Sequence, residues 1–301
     1  VSDHPKNEAI GIIGLGLMGS ALTQRLLSAG FAVVGFDIDD AQKKSFAALG
    51  GEVVGSVTDV ALRCRRIFLA VMTVAQVDDV VLGEGGIAET PPPGNEKRLV
   101  VSVTTSEPDK IEDLAERCAA SDIDFLDAPV SGTSKQVSDG NGHGLIGGDA
   151  DVAKACNDIF DAVYPNRTIT GAPGSATKTK LAINHILGLN RVALAEGLVF
   201  AEQLGLNLEN FIDVARQSAA YSQIMDVKGD MMVARDFSNP QSKVNQHYKD
   251  VRIMLAEAKK RGQELPMLSR LADLLKACEE NGDGEKDNAI TLEEIRRRKT
   301  D

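Results

Sequence analysis

Ala9-Ile10-Gly11-Ile12-Ile13 runs directly into Gly14-Leu15-Gly16-Leu17-Met18-Gly19, and the amphipathic stretch 20–28 follows without a break. A short apolar strand, a glycine-punctuated turn and a helix in that order leave few folds open. Gly14 permits the tight turn, Gly16 lets a bound group approach the backbone, and Gly19 lets the helix pack on its strand. The helix start then offers backbone N–H groups and the positive end of its dipole, which suits a pyrophosphate. Gly14, Leu15, Gly16, Leu17, Met18 and Gly19 are therefore read as a dinucleotide-binding turn. The acidic residue that such a turn requires is Asp37, which ends a second apolar run over 31–36. A carboxylate there accepts hydrogen bonds from ribose hydroxyls and repels a 2′-phosphate. Ile38-Asp39-Asp40-Ala41 contains no arginine, so a 2′-phosphate would meet three negative charges. NAD is expected rather than NADP.

A chain of 301 residues accommodates one large or two ordinary domains. Its formal charge of −11 argues against nucleic-acid or anionic-membrane partners, because phosphate neutralisation needs a basic surface. No apolar run reaches the roughly 18 residues of a membrane span. Residues 1–8 carry no signal-peptide pattern and read as a short mobile lead. Cys64, Cys118, Cys156 and Cys278 form no C-x-x-C pair, which predicts free thiols, a cytoplasmic location and no metal centre. Asn281-Gly282-Asp283-Gly284-Glu285 fails as a calcium loop, because Lys286 replaces the turn glycine and Leu292 the bidentate glutamate.

Strand-like runs at 9–13, 32–36, 66–71, 98–103, 124–126 and 143–147 alternate with helix-like segments such as 40–49 and 109–121. That alternation predicts a mostly parallel sheet with crossover helices. Beyond Gly171-Ala172-Pro173-Gly174 the strands stop, and helix formers run from 176 to 204. Gly188 and Gly197 weaken this helix, so tertiary packing must support it. Further helices are expected over 208–280 and 290–299, the last with Glu293/Arg297 and Glu294/Arg298 pairs. The expected fold class is α/β: a Rossmann domain over 1–172, then an all-α domain over 173–301, joined by a long interdomain helix.

Three further segments bear on chemistry. Asp127-Ala128-Pro129-Val130-Ser131-Gly132 follows a strand and turns sharply, presenting a hydroxyl and backbone N–H groups suited to a carboxylate. Lys180 and Asn184 are four residues apart on one helix face, so both can meet one ligand. Lys249-Asp250 lies on a later helix.

These four segments, in this order, resemble the β-hydroxyacid dehydrogenases over about residues 9–295. The resemblance implies an NAD-dependent oxidoreductase that interconverts a small 3-hydroxy acid and its semialdehyde or 3-keto acid. It implies Lys180 as general acid/base, Asn184 as a substrate contact, and Ser131 and Gly132 as carboxylate ligands. Thr105 matches the threonine at the nicotinamide ribose, Met72 a position lining the cofactor, and Lys249 a lysine near the nicotinamide end. It also implies oligomers built through the helical parts, a homodimer or homotetramer. The residue types suit the chemistry: an alcohol must lose its hydroxyl proton as hydride leaves for NAD, and burial beside a nicotinamide cation drives a lysine pKa toward neutrality.

The chain departs from the family pattern at several points. Thr133 stands where a second glycine is usual, so its side chain is expected to crowd or hydrogen-bond the substrate's far end. Ser102, Thr104, Ala176 and Ser242 replace a common aspartate, serine, glycine and aromatic. Imine reduction is the alternative enzyme reading, but relatives that perform it usually carry Asp or Tyr in place of the lysine. Ile183 stands where 6-phosphogluconate dehydrogenase has histidine. A non-catalytic scaffold or dinucleotide sensor is the remaining alternative; the retained Lys180 and the acidic balance oppose a chromatin-associated role.

Overall fold

The computed structural model describes residues 8–299. Contacts divide the chain after Lys180 into an N-terminal and a C-terminal unit.

In the N-terminal unit, strands and helices alternate as their apolar runs predict. The order is β1 (Ile10–Ile13), α1 (Leu17–Ser28), β2 (Val33–Phe36), α2 (Asp40–Leu49), β3 (Glu52–Val53), α3 (Val57–Arg63), β4 (Arg66–Leu69), α4 (Val74–Leu82), β5 (Arg98–Ser102), α5 (Pro108–Ala120) and β6 (Ile123–Asp127). Then come β7 (Val130–Ser131), α6 (Ser134–Ser138), β8 (His143–Gly147), α7 (Ala150–Ala155), α8 (Asn157–Val163) and β9 (Asn166–Gly171). The sheet order is β3-β2-β1-β4-β5-β6-β8-β7, with β9 on β8. β1 to β6 pair in parallel, and the antiparallel contacts are those of β8 with β6 and β7.

Side chains alternate across the sheet. Ile10 and Ile12 join a core that includes Leu22, Leu26 and Phe160, whereas Ile13 joins Val60, Val77 and Ile111 on the other face. Both faces are covered by helices, so these strands are apolar throughout. Three short or polar strands, β3, β7 and β9, lie outside the runs expected from sequence. β9 reads Asn-Arg-Thr-Ile-Thr-Gly and is largely solvent-facing, yet its backbone pairs with β8 over its whole length. Glu8, placed in the mobile lead by its sequence, is half-buried and pairs with Arg65 and Arg66 at 3.1 Å each. Arg66 is buried at the start of β4 and holds that residue by its charge. Residues 1–7 of the lead lie outside the described residues.

One helix, α9 (Ser175–Gln203), runs 29 residues across the division between the units. The C-terminal unit continues with α10 (Leu208–Arg216), α11 (Ile224–Ala234), α12 (Val244–Lys260), α13 (Pro266–Glu280) and α14 (Thr291–Arg297). Leu194, Leu198, Ile212, Met232, Val251, Leu271 and Leu275 lie in its core. Gly188, a weak point of α9 on propensity alone, is a contact point. A Cβ there would stand 2.8 Å from Leu271 Cδ2 and 3.0 Å from His247 Nε2, so the absent side chain lets α12 and α13 close on the helix. In α14, Glu294 pairs with Arg298 as expected, but Glu293 pairs with Arg235 and Arg296. All four cysteines are buried and free, and burial pushes the Cys64 thiol up to about 12. Among the described residues no helix is long and apolar enough to cross a membrane.

Candidate active site

The parallel register brings five strand ends to one edge. Ile13 aligns with Phe36 and with Leu69, Leu69 with Ser102, and Ser102 with Asp127. The segments that follow these ends carry Gly14, Asp37, Met72, Thr105 and Ser131. In open α/β sheets ligands bind beyond the carboxyl ends of the strands, where the strand order reverses. β1 sits at that reversal, between β2 and β4.

The glycine turn has the geometry its sequence demands. Gly14 adopts φ +90°, and a Cβ on it would lie 2.6 Å from the Ala70 carbonyl oxygen. A Cβ on Gly19 would lie 2.0 Å from the Gly14 carbonyl oxygen. Beside Gly16 the space is open. Leu17 and Met18 begin α1, whose first turn has no capping side chain and no acidic residue. An anion can therefore take up the unpaired N–H groups of that turn. Leu15 is buried and donates its backbone N–H to Asp37 Oδ2 at 2.7 Å, while Asp37 Oδ1 accepts from Asp39 N at 2.9 Å. The carboxylate is thus fixed against the glycine turn. Lys43, a nearby cation, is held by Asp40 at 2.6 Å and stands over the Phe36 ring. This cradle fits a dinucleotide: an open approach at Gly16, a bare helix start, and an oriented carboxylate.

Met72 is exposed after β4, its backbone N–H donating to Gln76 Oε1 at 3.0 Å. Thr105 is half-buried, whereas its neighbour Thr104 is buried and donates to the Val71 carbonyl at 2.8 Å, tying the two loops together. Ser131 is half-buried at the end of β7, opposite His143. Thr133 also bonds within its own turn. Its hydroxyl accepts from Gln136 N at 3.2 Å, and its own N–H donates to Gln136 Oε1 at 2.9 Å. The side chain caps α6 in a Thr-x-x-Gln box readable from the sequence.

Asp127, quoted above only as part of a motif, has a larger part than its neighbours. It is fully buried and accepts from both Thr177 N and Thr177 Oγ1 at 2.8 Å. Burial raises its carboxyl to about 6, against the opposing effect of the Thr177 and Gly174 hydrogen bonds. Lys178 adds a 2.6 Å pair to Glu112, and Ser175 Oγ meets Thr170 Oγ1 at 2.8 Å. The first turn of α9 is thereby fastened to the sheet and to α5. Lys180, one turn after Thr177 and buried, inherits that position.

In the C-terminal unit, Asp250 links two residues singled out from the sequence. Its Oδ2 accepts from Asn184 Nδ2 at 3.1 Å, and its Oδ1 pairs with Lys249 Nζ at 3.1 Å. Asp250 gave no separate signal in the sequence beyond following Lys249.

Comparison with known proteins agrees with this geometry. Residues 9–171 match the family described as NAD binding domain of 6-phosphogluconate dehydrogenase. Residues 174–295 match that described as NAD-binding of NADP-dependent 3-hydroxyisobutyrate dehydrogenase. The chain belongs to the β-hydroxyacid dehydrogenase family. Among family relatives, 2-hydroxy-3-oxopropionate reductase of Escherichia coli (strain K12) is 28% identical, over 95% of this chain and 96% of that one. Cytokine-like nuclear factor N-PAC of Drosophila melanogaster is 29% identical over 96% of this chain but 47% of its own length. The chain thus spans about half the length of that relative. A solved structure of 3-hydroxyisobutyrate dehydrogenase from Salmonella typhimurium has the same fold, with TM-score 0.85 and 24% identity over 95% of this chain and 99% of that one. The cofactor class of the family is a nicotinamide dinucleotide, in keeping with the cradle at Gly14–Gly19.

Proposed function

We propose that the protein is an NAD-dependent dehydrogenase of small 3-hydroxy acids. The observation that carries this reading is Lys180, a buried lysine on a helix start that Asp127 fastens. A lysine buried at a helix start beyond the strand ends is a candidate proton donor, because ionisable groups held in such enclosed places cluster at functional sites. The bound nicotinamide supplies or accepts the hydride. In oxidation Lys180 Nζ takes the hydroxyl proton; in reduction it returns a proton to the carbonyl oxygen. Ser131 and Gly132 hold the substrate carboxylate, and Asn184 orients the hydroxyl-bearing carbon. Thr105 and Met72 line the nicotinamide half of the cofactor, and Lys249 stands near its reacting end. Thr133, besides capping α6, crowds or hydrogen-bonds the far end of the substrate. The test is NADH formation over a panel of 3-hydroxyisobutyrate, glycerate, serine, threonate and 3-hydroxypropionate. Turnover of at least one acid is expected; tight NADH binding with no turnover on any of them would turn the reading toward a dinucleotide sensor.

The preference for NAD rests on Asp37, with Asp39 and Asp40 beside it and Lys43 already paired. NADP is expected to bind at least about tenfold more weakly than NAD, as like charges at a binding surface imply. Asp37→Ala should narrow that gap. Isothermal titration of both cofactors against both proteins checks it, and equal affinities in the parent would exclude Asp37 as the selector.

We further propose a homo-oligomer, dimer or tetramer, in a reducing cytoplasm. Support for self-association comes from α9, where Ile186 and Phe200 are 61% and 66% exposed, with Ala182 and Ala193 exposed on the same stripe and Leu204, 59% exposed, just past its end. Support for the compartment comes from the four buried free thiols.

A further inference from the structure

His143 opens β8 directly opposite Ser131, the residue read as a carboxylate ligand. β6 and β7 follow one another along β8 in a single antiparallel register. Asp127 faces Gly147, Val130 faces Gly144 and Ser131 faces His143, with the Leu145 N–H on the Pro129 carbonyl between them at 2.9 Å. Directly opposed residues of such a pair project to the same side, with Cβ atoms roughly 5 Å apart.

The neighbours fix which side this is. Val130 is buried in the sheet core, and a Cβ on Gly144 would strike the Tyr164 ring at 2.6 Å. Ser131 and His143, one step along, therefore project away from that core. They share their side with Asp127 and Gly147, four residues away on each strand. Asp127 receives Thr177, and a Cβ on Gly147 would stand 2.8 Å from Ser175 Oγ and 3.1 Å from Ala176 N. The first turn of α9, which leads to Lys180, thus packs on the face that carries Ser131 and His143.

This face is open where the two residues stand: His143 is exposed and Ser131 half-buried. The imidazole Nε2 lies 2.8 Å from Thr168 Oγ1 on β9, which anchors the ring from the far strand. A threonine hydroxyl can donate to that nitrogen and so place the ring proton on Nδ1; in the imidazolium both nitrogens are donors. In either form Nδ1–H is a donor beside the Ser131 hydroxyl. A carboxylate has two acceptor oxygens, so two donors rooted roughly 5 Å apart on one face can share it.

We propose that His143 is a second ligand of the substrate carboxylate, acting with Ser131. This rests on Ser131 holding that carboxylate.

The experiment uses the full chain with NAD and 3-hydroxyisobutyrate, glycerate and 3-hydroxypropionate, each beside its carboxamide. In His143→Leu, KM for the acid turned over should rise roughly tenfold or more, the scale of one hydrogen bond to a charged group. The carboxylate keeps its charge through the reaction, so kcat should stay within about twofold. Turnover of the carboxamide should be unchanged, a selectivity that a merely structural role would not produce. His143→Asn, which keeps a donor near the place of Nδ1, should fall between. Ser131→Ala should weaken the preference for acid over carboxamide in the same sense. A preference that falls in Ser131→Ala but not in His143→Leu overturns the inference and leaves Ser131 as the ligand. A preference unmoved by either variant overturns both, and equal losses on acid and carboxamide in His143→Leu also overturn the role of His143. Turnover of none of the acids, with NADH still bound, counts against the reaction; His143 is then judged by thermal shift of the NADH complex. A larger shift with 3-hydroxypropionate than with 3-hydroxypropanamide, lost in His143→Leu, supports the assignment, and equal shifts overturn it.

Discussion

Lys180→Ala is expected to lower kcat for the proposed hydride transfer by about 10²- to 10⁴-fold, the range for loss of a positioned general acid/base, with NADH affinity little changed. The two halves of that expectation have separate physical sources. The residues read as holding the dinucleotide's phosphates and ribose are Gly14–Gly19 and Asp37, whose hydrogen bonds run to one another, to α1, to β2 and to Asp39 rather than to α9. The helix itself should survive, since alanine is the best helix former and the first turn is fastened by Asp127 and Glu112 upstream of the substitution. What alanine removes is the ammonium and the apolar stem beneath it. Lys180→Met, which keeps most of the stem, separates lost packing from lost proton transfer: both variants should be equally impaired in kcat, while the methionine form keeps more of the parent's Tm. Steady-state kinetics beside NADH fluorescence titration provides the check. Turnover within a few-fold of the parent in either variant would mean that another group moves the proton.

The parts of the molecule that were legible in sequence are those set by short-range physics. The turn at Gly14–Gly19, the carboxylate at Asp37 and the extent of α2 follow from local geometry and periodicity, and α9 was visible as an unbroken run of helix formers. β9 escaped because its residues pair by backbone at a largely exposed position and bury few side chains, so no apolar period marks them. Asp127 and Thr177 are separated by 50 residues, and neither is conspicuous until the chain folds. Arg191 reads as an ordinary polar position on a helix; only tertiary packing shows that it is buried, with Nε and Nη1 lacking an acceptor. Thr133 is a different case. The Thr-x-x-Gln cap is legible in the sequence as a local spacing, independent of what the hydroxyl meets in a substrate.

Gly16 and Gly19, three residues apart, should respond to alanine in opposite ways. At Gly19 the added Cβ would meet the Gly14 carbonyl oxygen at 2.0 Å and its carbon at 3.0 Å. Both are backbone atoms, and Gly14 is itself held at φ +90° with its N–H on the Phe36 carbonyl. No rotamer change relieves the contact, so α1 must move off β1, where Leu22 and Leu26 are fully buried. A loss of about 3 kcal/mol or more is expected from such overpacking, or a Tm lower by roughly 6–12 °C for a unit of this size. At Gly16 nothing lies within 4 Å of the added Cβ, so Tm should hold. The methyl group would instead stand where a pyrophosphate approaches the start of α1, and NADH affinity should fall by about tenfold or more. Thermal melts and NADH titrations of the two variants together check both halves. Unimpaired NADH binding in a stable Gly16→Ala would move the phosphate site away from this turn, and the role of Asp37 would fall with it.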